Sequence, residues 1–317
     1  TTGIMMTKEN QSVVTEFILQ VLSSQPRTQT VLFIVLLVVY LFSMVGNILI
    51  IAVVRVDCQL QSPMYFFLAN LSFIDICFIS SIIPQMLVNF VTKKSTISFS
   101  GCAAQTYFSL IFGITECVLL GVMAYDRYMA ICHPLLYTAA MNRKVCTLMV
   151  VACWISSLLS STSVNGLTFQ LPFCGPNTLN HYFCEVPALL VLACTDTAFV
   201  ELVVFIFSIF VALIPFLLIV FSYAHIFSTI LKLQSIGVQY KAFSTCGSHL
   251  MVVTIFYGTV ICIYTNPTSR TRQDRDKVVS LFYAIGAPVL NPLIYSLRNK
   301  DMKRALRKAM NSPKSLF

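Results

Sequence analysis

Seven apolar stretches divide the sequence, running approximately over 30–54, 64–90, 100–126, 145–163, 198–224, 242–264 and 278–297. A helix crosses the hydrocarbon core of a bilayer with about 20 apolar residues. A backbone in hydrocarbon must satisfy its own hydrogen bonds, which leaves helices or closed barrels. Barrel strands alternate apolar and polar residues over about ten positions, whereas these runs are unbroken. The chain therefore reads as an all-α membrane protein, a seven-transmembrane-helix bundle. Composition agrees: 57% of the 317 residues are hydrophobic and 10% charged, with a mean hydropathy of +0.82, against about 25% charged in soluble domains. No repeat period of about 20 to 50 residues recurs, which excludes a solenoid.

The expected organisation is an extracellular segment over 1–29, a membrane domain over 30–299, and a cytosolic amphipathic helix and tail over 300–317. The first span reads as a retained signal anchor, because a mostly polar segment precedes it and no small-residue cleavage pattern follows. An odd number of spans puts the termini on opposite sides, and Lys and Arg counts choose the sides. With the tail inside, the cytosolic segments hold 13 Lys and Arg against Asp57, Asp126 and Asp301, while the outer segments are nearly balanced. The formal charge of +9 is thus a topology signal and implies no nucleic-acid partner. The sequon Asn10-Gln11-Ser12 falls outside as a glycosylation acceptor, and Asn70-Leu71-Ser72 falls inside a span, where it is silent. Of the 12 cysteines, Cys58, Cys77, Cys117, Cys132, Cys146, Cys153, Cys246 and Cys262 sit in spans or cytosolic segments and read as small buried hydrophobes. Cys102, Cys174, Cys184 and Cys194 are extracellular and imply two bridges, with three connectivities open.

Two motifs carry the functional signal. Met123-Ala124-Tyr125-Asp126-Arg127-Tyr128-Met129-Ala130-Ile131-Cys132-His133-Pro134 ends the third span, and Pro288-Val289-Leu290-Asn291-Pro292-Leu293-Ile294-Tyr295 ends the seventh. A proline inside a span frees a backbone carbonyl, which Asn291 or a neighbouring helix can satisfy. With Pro63-Met64-Tyr65-Phe66-Phe67-Leu68, Ser222-Tyr223, Lys241-Ala242-Phe243-Ser244-Thr245-Cys246 and Phe256-Tyr257-Gly258, the chain resembles the rhodopsin-like G-protein-coupled receptors. The closer resemblance is to the olfactory (odorant) receptors of the tetrapod-type class II branch. It implies disulfides Cys102–Cys184 and Cys174–Cys194 that hold a loop over the extracellular mouth. It also implies a switch made of Asp126, Arg127, Tyr128, Tyr223, Asn291, Pro292 and Tyr295, a stimulatory olfactory-type G protein as partner, and cyclic AMP as output.

Asp75 and Glu116 lie within spans, where an unpaired ionised acid costs at least ~2.5 kcal/mol, so each is a functional candidate. Glu116 is about three turns, or ~16 Å, deeper than Arg127. The resemblance implies a sodium ion held there by Asp75 and Glu116 in the inactive state, the alternative being a pair of protonated, hydrogen-bonded acids; otherwise no cofactor is expected. Between Glu201 and Asp274 the sequence has no acid. The sixth span therefore offers Arg127 no carboxylate, and its resting partner is expected to be Asp126 or a neutral group.

The ligand side is bounded by exclusion. Amine receptors of this superfamily carry an Asp where this chain has Ser109, and no Lys between Lys277 and Lys300 is present to bind retinal. Stripes at helical spacing read Thr106, Leu110, Gly113, Ile114 and Cys117 in the third span, and Val204, Phe207, Ser208 and Val211 in the fifth. The sixth gives Tyr257, Val260, Ile261 and Tyr264, and the seventh Leu281 and Ala284. Mostly apolar faces with a few hydroxyls suit a small neutral molecule held by shape and one or two hydrogen bonds. Tyr257 is expected at the floor of that site. Beyond the last span, Met302, Ala305, Leu306, Ala309 and Met310 share one face of a basic helix on the inner leaflet, where lipid is the partner. The competing readings are a related receptor sensing a metabolite outside the nose, and a channel or transporter, for which the inverted repeats are absent. No catalytic motif supports an enzyme. The expected location is the plasma membrane, multi-pass, with the N-terminus outside.

Overall fold

The computed structural model describes residues 14–20, 22, 25–92, 94–174, 177–232, 235–264, 273–298 and 300–311, without the side chains of 236, 238, 241, 244, 245, 260–264, 273–279, 283, 296–298, 300 and 309–311. Its helices are α1 (Pro26–Val56), α2 (Pro63–Thr92), α3 (Phe99–Cys132), α4 (Pro134–Ala140), α5 (Arg143–Phe169) and α6 (Val186–Leu190). They continue with α7 (Ala198–Ser208), α8 (Ile214–Leu231), α9 (Ile236–Tyr264), α10 (Gln273–Arg298) and α11 (Lys300–Asn311). A π-helical turn, Ile209–Leu213, joins α7 to α8 as one continuous span. Helices α1, α2, α3, α5 and α7 through α8 are each long and apolar enough to cross a membrane, and α9 and α10 complete the bundle of seven. Apolar side chains such as Val38, Val45, Phe205 and Phe210 point outward and stay exposed, as lipid-facing residues must.

The ends of the helices follow from local chemistry. Proline stands at the first turn of α1, α4 and α6, where its missing N–H costs nothing. The Ser98 hydroxyl accepts from the Gly101 N–H at the start of α3, and the Asn142 side chain accepts from the Val145 N–H at the start of α5.

Two interior prolines shape the packing. Pro292 cannot donate to the Pro288 carbonyl four residues back. The Ser43 hydroxyl (2.8 Å) and the Asn47 amide (3.0 Å) donate to that carbonyl from α1 instead. Gly46 lets the two helices meet, since a Cβ there would lie 3.0 Å from the Pro292 Cβ. Pro215 likewise frees the Val211 carbonyl, and the chain widens into the π turn at that point. The Cys117 thiol donates to the freed oxygen at 3.2 Å.

One element lies outside the all-helical expectation. β1 (Glu16–Leu19) is the middle strand of a three-stranded sheet, antiparallel to β2 (Thr96–Ser98) and parallel to β3 (Thr178–Leu179). The segment before the first span is therefore bound to both neighbouring loops. Phe17 is fully buried among Phe99, Phe173, Leu179, Cys184 and Leu189. At the other end, Met302 and Ala305 of α11 are buried in the main core, as the amphipathic pattern requires.

Candidate functional site

A cap of loops is built on the first turn of α3. Cys102 is bonded to Cys184, with Cα atoms 5.5 Å apart, and Cys174 to Cys194. Beside the first bridge the Gln105 carbonyl accepts from the Cys184 N–H (2.9 Å), while its amide donates to the Ser81 carbonyl of α2 (3.0 Å). Gln105 thus registers the loop on two helices, a role sequence reasoning did not assign to it. His181 meets Glu185 at 3.1 Å within the same loop.

Below the cap, the stripe residues fall into two groups. Thr106 is buried and its hydroxyl donates to the Cys102 carbonyl; Ser109 donates to Thr106, and Ser208 to Val204, each within its own helix. Leu110, Gly113 and Ile114 of α3 and Phe207 and Val211 of the fifth span are half-buried. Leu281 packs elsewhere, with Ile79, Ile83, Phe183 and Ala284 on the α2 side. The side chains of Val260, Ile261 and Tyr264, and the whole of Asn10, lie outside the described residues. Two clefts are found away from these stripes. One, at the outer end, is lined by Gln20, Met86, Phe90 and Tyr182, and the other lies at the inner ends of α1, α2 and α5.

At the floor, Tyr257 is buried and bound to α3: its hydroxyl donates to the Cys117 carbonyl (3.1 Å) and accepts from the Cys117 thiol (3.2 Å). The expected ligand-facing hydroxyl is thus engaged in joining α9 to α3. Cys117, which reads from sequence as a small buried hydrophobe, bridges α3, the π turn and α9. The signal was present in Pro215, whose missing N–H creates the acceptor.

At mid-membrane Asp75 and Glu116 are both fully buried, and Asn291 connects them. The Asn291 amide donates to the Asp75 carboxylate at 3.0 and 3.2 Å and to Glu116 Oε1 at 3.5 Å. Asn291 therefore serves the acids of α2 and α3 and not the carbonyl freed by Pro292. Glu116 Oε2 is buried with no hydrogen-bond partner. Two carboxylates with an unfilled buried oxygen fit a monovalent cation or a proton.

At the far end of α3, no carboxylate of the described residues lies within ion-pair distance of Arg127. The Asp126 carboxylate accepts from the Tyr137 hydroxyl of α4 at 2.9 Å. Burial, and then the Asp126 charge, push the Tyr137 phenol above its ordinary pKa, so it stays a donor. Arg127 Nη2 is buried without a partner. Tyr223 and His249 join the fifth span to α9 through a 2.8 Å bond between the hydroxyl and Nδ1. Tyr128 is held to His133 at 2.9 Å and Pro292 packs on Gly46. His249 and Tyr137 were missed from sequence, because their partners lie on other helices.

The comparisons agree with this geometry. The olfactory receptor family model matches residues 36–312. Olfactory receptor 2D2 of Homo sapiens is 52% identical over 303 residues, covering 96% of this chain and 98% of that protein. Olfactory receptor 5AR1 of Mus musculus is 48% identical over 303 residues, covering 96% and 98%. Squid rhodopsin, in its crystal structure, superposes with a TM-score of 0.73 over 91% of this chain and 82% of its own at 18% identity, a likeness of fold. The chain belongs to the olfactory receptor family: it is a multi-pass membrane receptor of the seven-helix, G-protein-coupled type and not an enzyme.

Proposed function

We propose that this receptor binds a small, mainly apolar odorant in the extracellular half of the bundle and activates a stimulatory olfactory-type G protein, raising cyclic AMP. The observation that carries the reading is Arg127, charged, half-buried at the inner mouth, with a buried nitrogen that has no partner. A guanidinium held so is ready for a new acceptor when the helix ends separate. The bond between Tyr223 and His249 ties the fifth span to α9 without an acid. It is a bistable contact on which an agonist at one end and a G protein at the other can act. On this reading the N-terminus is extracellular, Asn10 is glycosylated and the tail is cytosolic, supported by the distribution of Lys and Arg.

The ligand's character rests on the half-buried apolar faces of Leu110, Ile114, Phe207 and Val211. Ser109 and Ser208, both half-buried, direct their hydrogens into their own helices and keep lone pairs for a ligand donor. Asp75, Glu116 and Asn291 would hold a sodium ion in the resting state, supplying two carboxylates to one charge. A cyclic AMP reporter screen of the expressed receptor against a chemically broad odorant panel tests the reading. The expected result is a dose-dependent signal that disappears in cells lacking the stimulatory G protein. A response that persists in those cells would reject the coupling.

A further inference from the structure

A cleft of about 180 Å³ lies at the disulfide-capped end of the bundle, and none of the stripe residues of α3 and the fifth span lines it. It has room for about six waters, or for one substituted aromatic ring. Met86 and Phe90 of α2 line it with Tyr182 of the loop, and these side chains pack in one apolar cluster. Gln20, Asn89 and Ser95 add amides and a hydroxyl, and no charged side chain lines it. Asn89 is held in one orientation. The Gln85 amide donates to the Asn89 oxygen at 2.9 Å and to the Thr96 carbonyl at 3.3 Å. A carbonyl only accepts, so Gln85 presents its NH2 there, and Asn89 presents its oxygen to Gln85. The Asn89 NH2 is thereby turned away from Gln85 and has no acceptor among the described residues. The Ser95 carbonyl is taken by the Leu19 N–H, while its hydroxyl has no partner among the described residues.

We propose that this cleft is a small-molecule site apart from the odorant stripes, and that it takes a neutral aromatic carbonyl compound. The ring of the guest lies among Met86, Phe90 and Tyr182, where a thioether and aromatic faces favour it. Its carbonyl oxygen accepts from the Asn89 NH2. A donor fixed in direction and lacking an acceptor selects a ligand oxygen, and a lining without carboxylates gives a cation nothing to pair with. The occupant touches α2, the loop of Cys184 and the segment that follows β1 at once.

The test compares benzamide with benzamidine, which has the same shape but a cationic NH2 where benzamide has its oxygen. Saturation-transfer NMR titrations read the binding of each to the purified full-length receptor in phosphatidylcholine nanodiscs. No signalling step is involved, so the outcome is independent of the odorant reading. The parent is expected to favour benzamide, and Asn89→Asp to favour benzamidine. Aspartate keeps the oxygen that accepts from Gln85 and turns the free donor into an acceptor, so a residue with only a structural role would not reverse the order. The swing in preference should be about 5- to 150-fold, the worth of one mismatched polar contact. If Asn89→Asp does not fold, Asn89→Leu serves: it should lose benzamide and gain no benzamidine. Equal binding of both compounds by the parent, or an Asp variant that keeps the parent's order, overturns the proposal. So does benzamide binding that is unchanged in Asn89→Leu, the result for a compound merely dissolved in the nanodisc lipid.

Discussion

Tyr257→Phe removes one oxygen and nothing else, and its effect separates a ligand contact from a switch contact. The hydroxyl makes two bonds to Cys117, donating to the carbonyl and accepting from the thiol. The thiol has a second acceptor in the Val211 carbonyl at 3.2 Å, so it is not stranded when the hydroxyl goes. The net loss is therefore close to one hydrogen bond, about 0.5–1.5 kcal/mol. Because the bond ties α9 to α3, outward movement of α9 breaks it, and the variant makes that movement cheaper by the same amount. The ratio of moved to resting receptor rises about 2- to 12-fold. Basal cyclic AMP should increase, and the half-maximal concentration of every agonist should fall by one common factor. The assay is a set of dose-response curves for an oxygen-bearing and a hydrocarbon-like agonist on both receptors, at matched surface levels. A potency loss confined to the oxygen-bearing agonist would refute the reasoning, since the hydroxyl would then be facing ligand.

Two further perturbations probe the cap. Cys102→Ser and Cys184→Ser should lower surface delivery alike, with the double variant no worse than either single, because one bridge is lost in all three; flow cytometry of a tagged receptor checks this, and additive losses contradict it. Phe17→Ala should destabilise the folded receptor by about 3–5 kcal/mol, the usual cost of emptying a buried aromatic site, read as a lower melting temperature of the purified protein. An unchanged melting temperature would mean that β1 is not held as described.

The bundle was legible because its signal is local and long: seven apolar runs, each bounded by proline, glycine or charge, and a tail whose Met302 and Ala305 mark the buried face. Asp75, Glu116 and Arg127 were legible because an acid or arginine in a span demands a reason. What was hidden is contact between distant segments. β1 is four residues long and finds its partners about 80 and 160 positions away, too short and too remote for periodicity to reveal. The destination of Asn291 could not be read from its place beside Pro292, since two helices compete for the role and Ser43 and Asn47 of α1 fill the freed carbonyl first. Tyr257 looked free to serve a ligand because the thiol that engages it lies 140 residues earlier.

The central claim, that Arg127 is the cytosolic switch of an odorant receptor, is tested most directly by Arg127→Ala. The measurement is agonist-dependent cyclic AMP in cells whose surface receptor is matched to the parent by antibody labelling. The account predicts near-normal surface delivery, since Arg127 makes no ion pair among the described residues, together with loss of the agonist response. A variant that reaches the surface and signals as fully as the parent would contradict it.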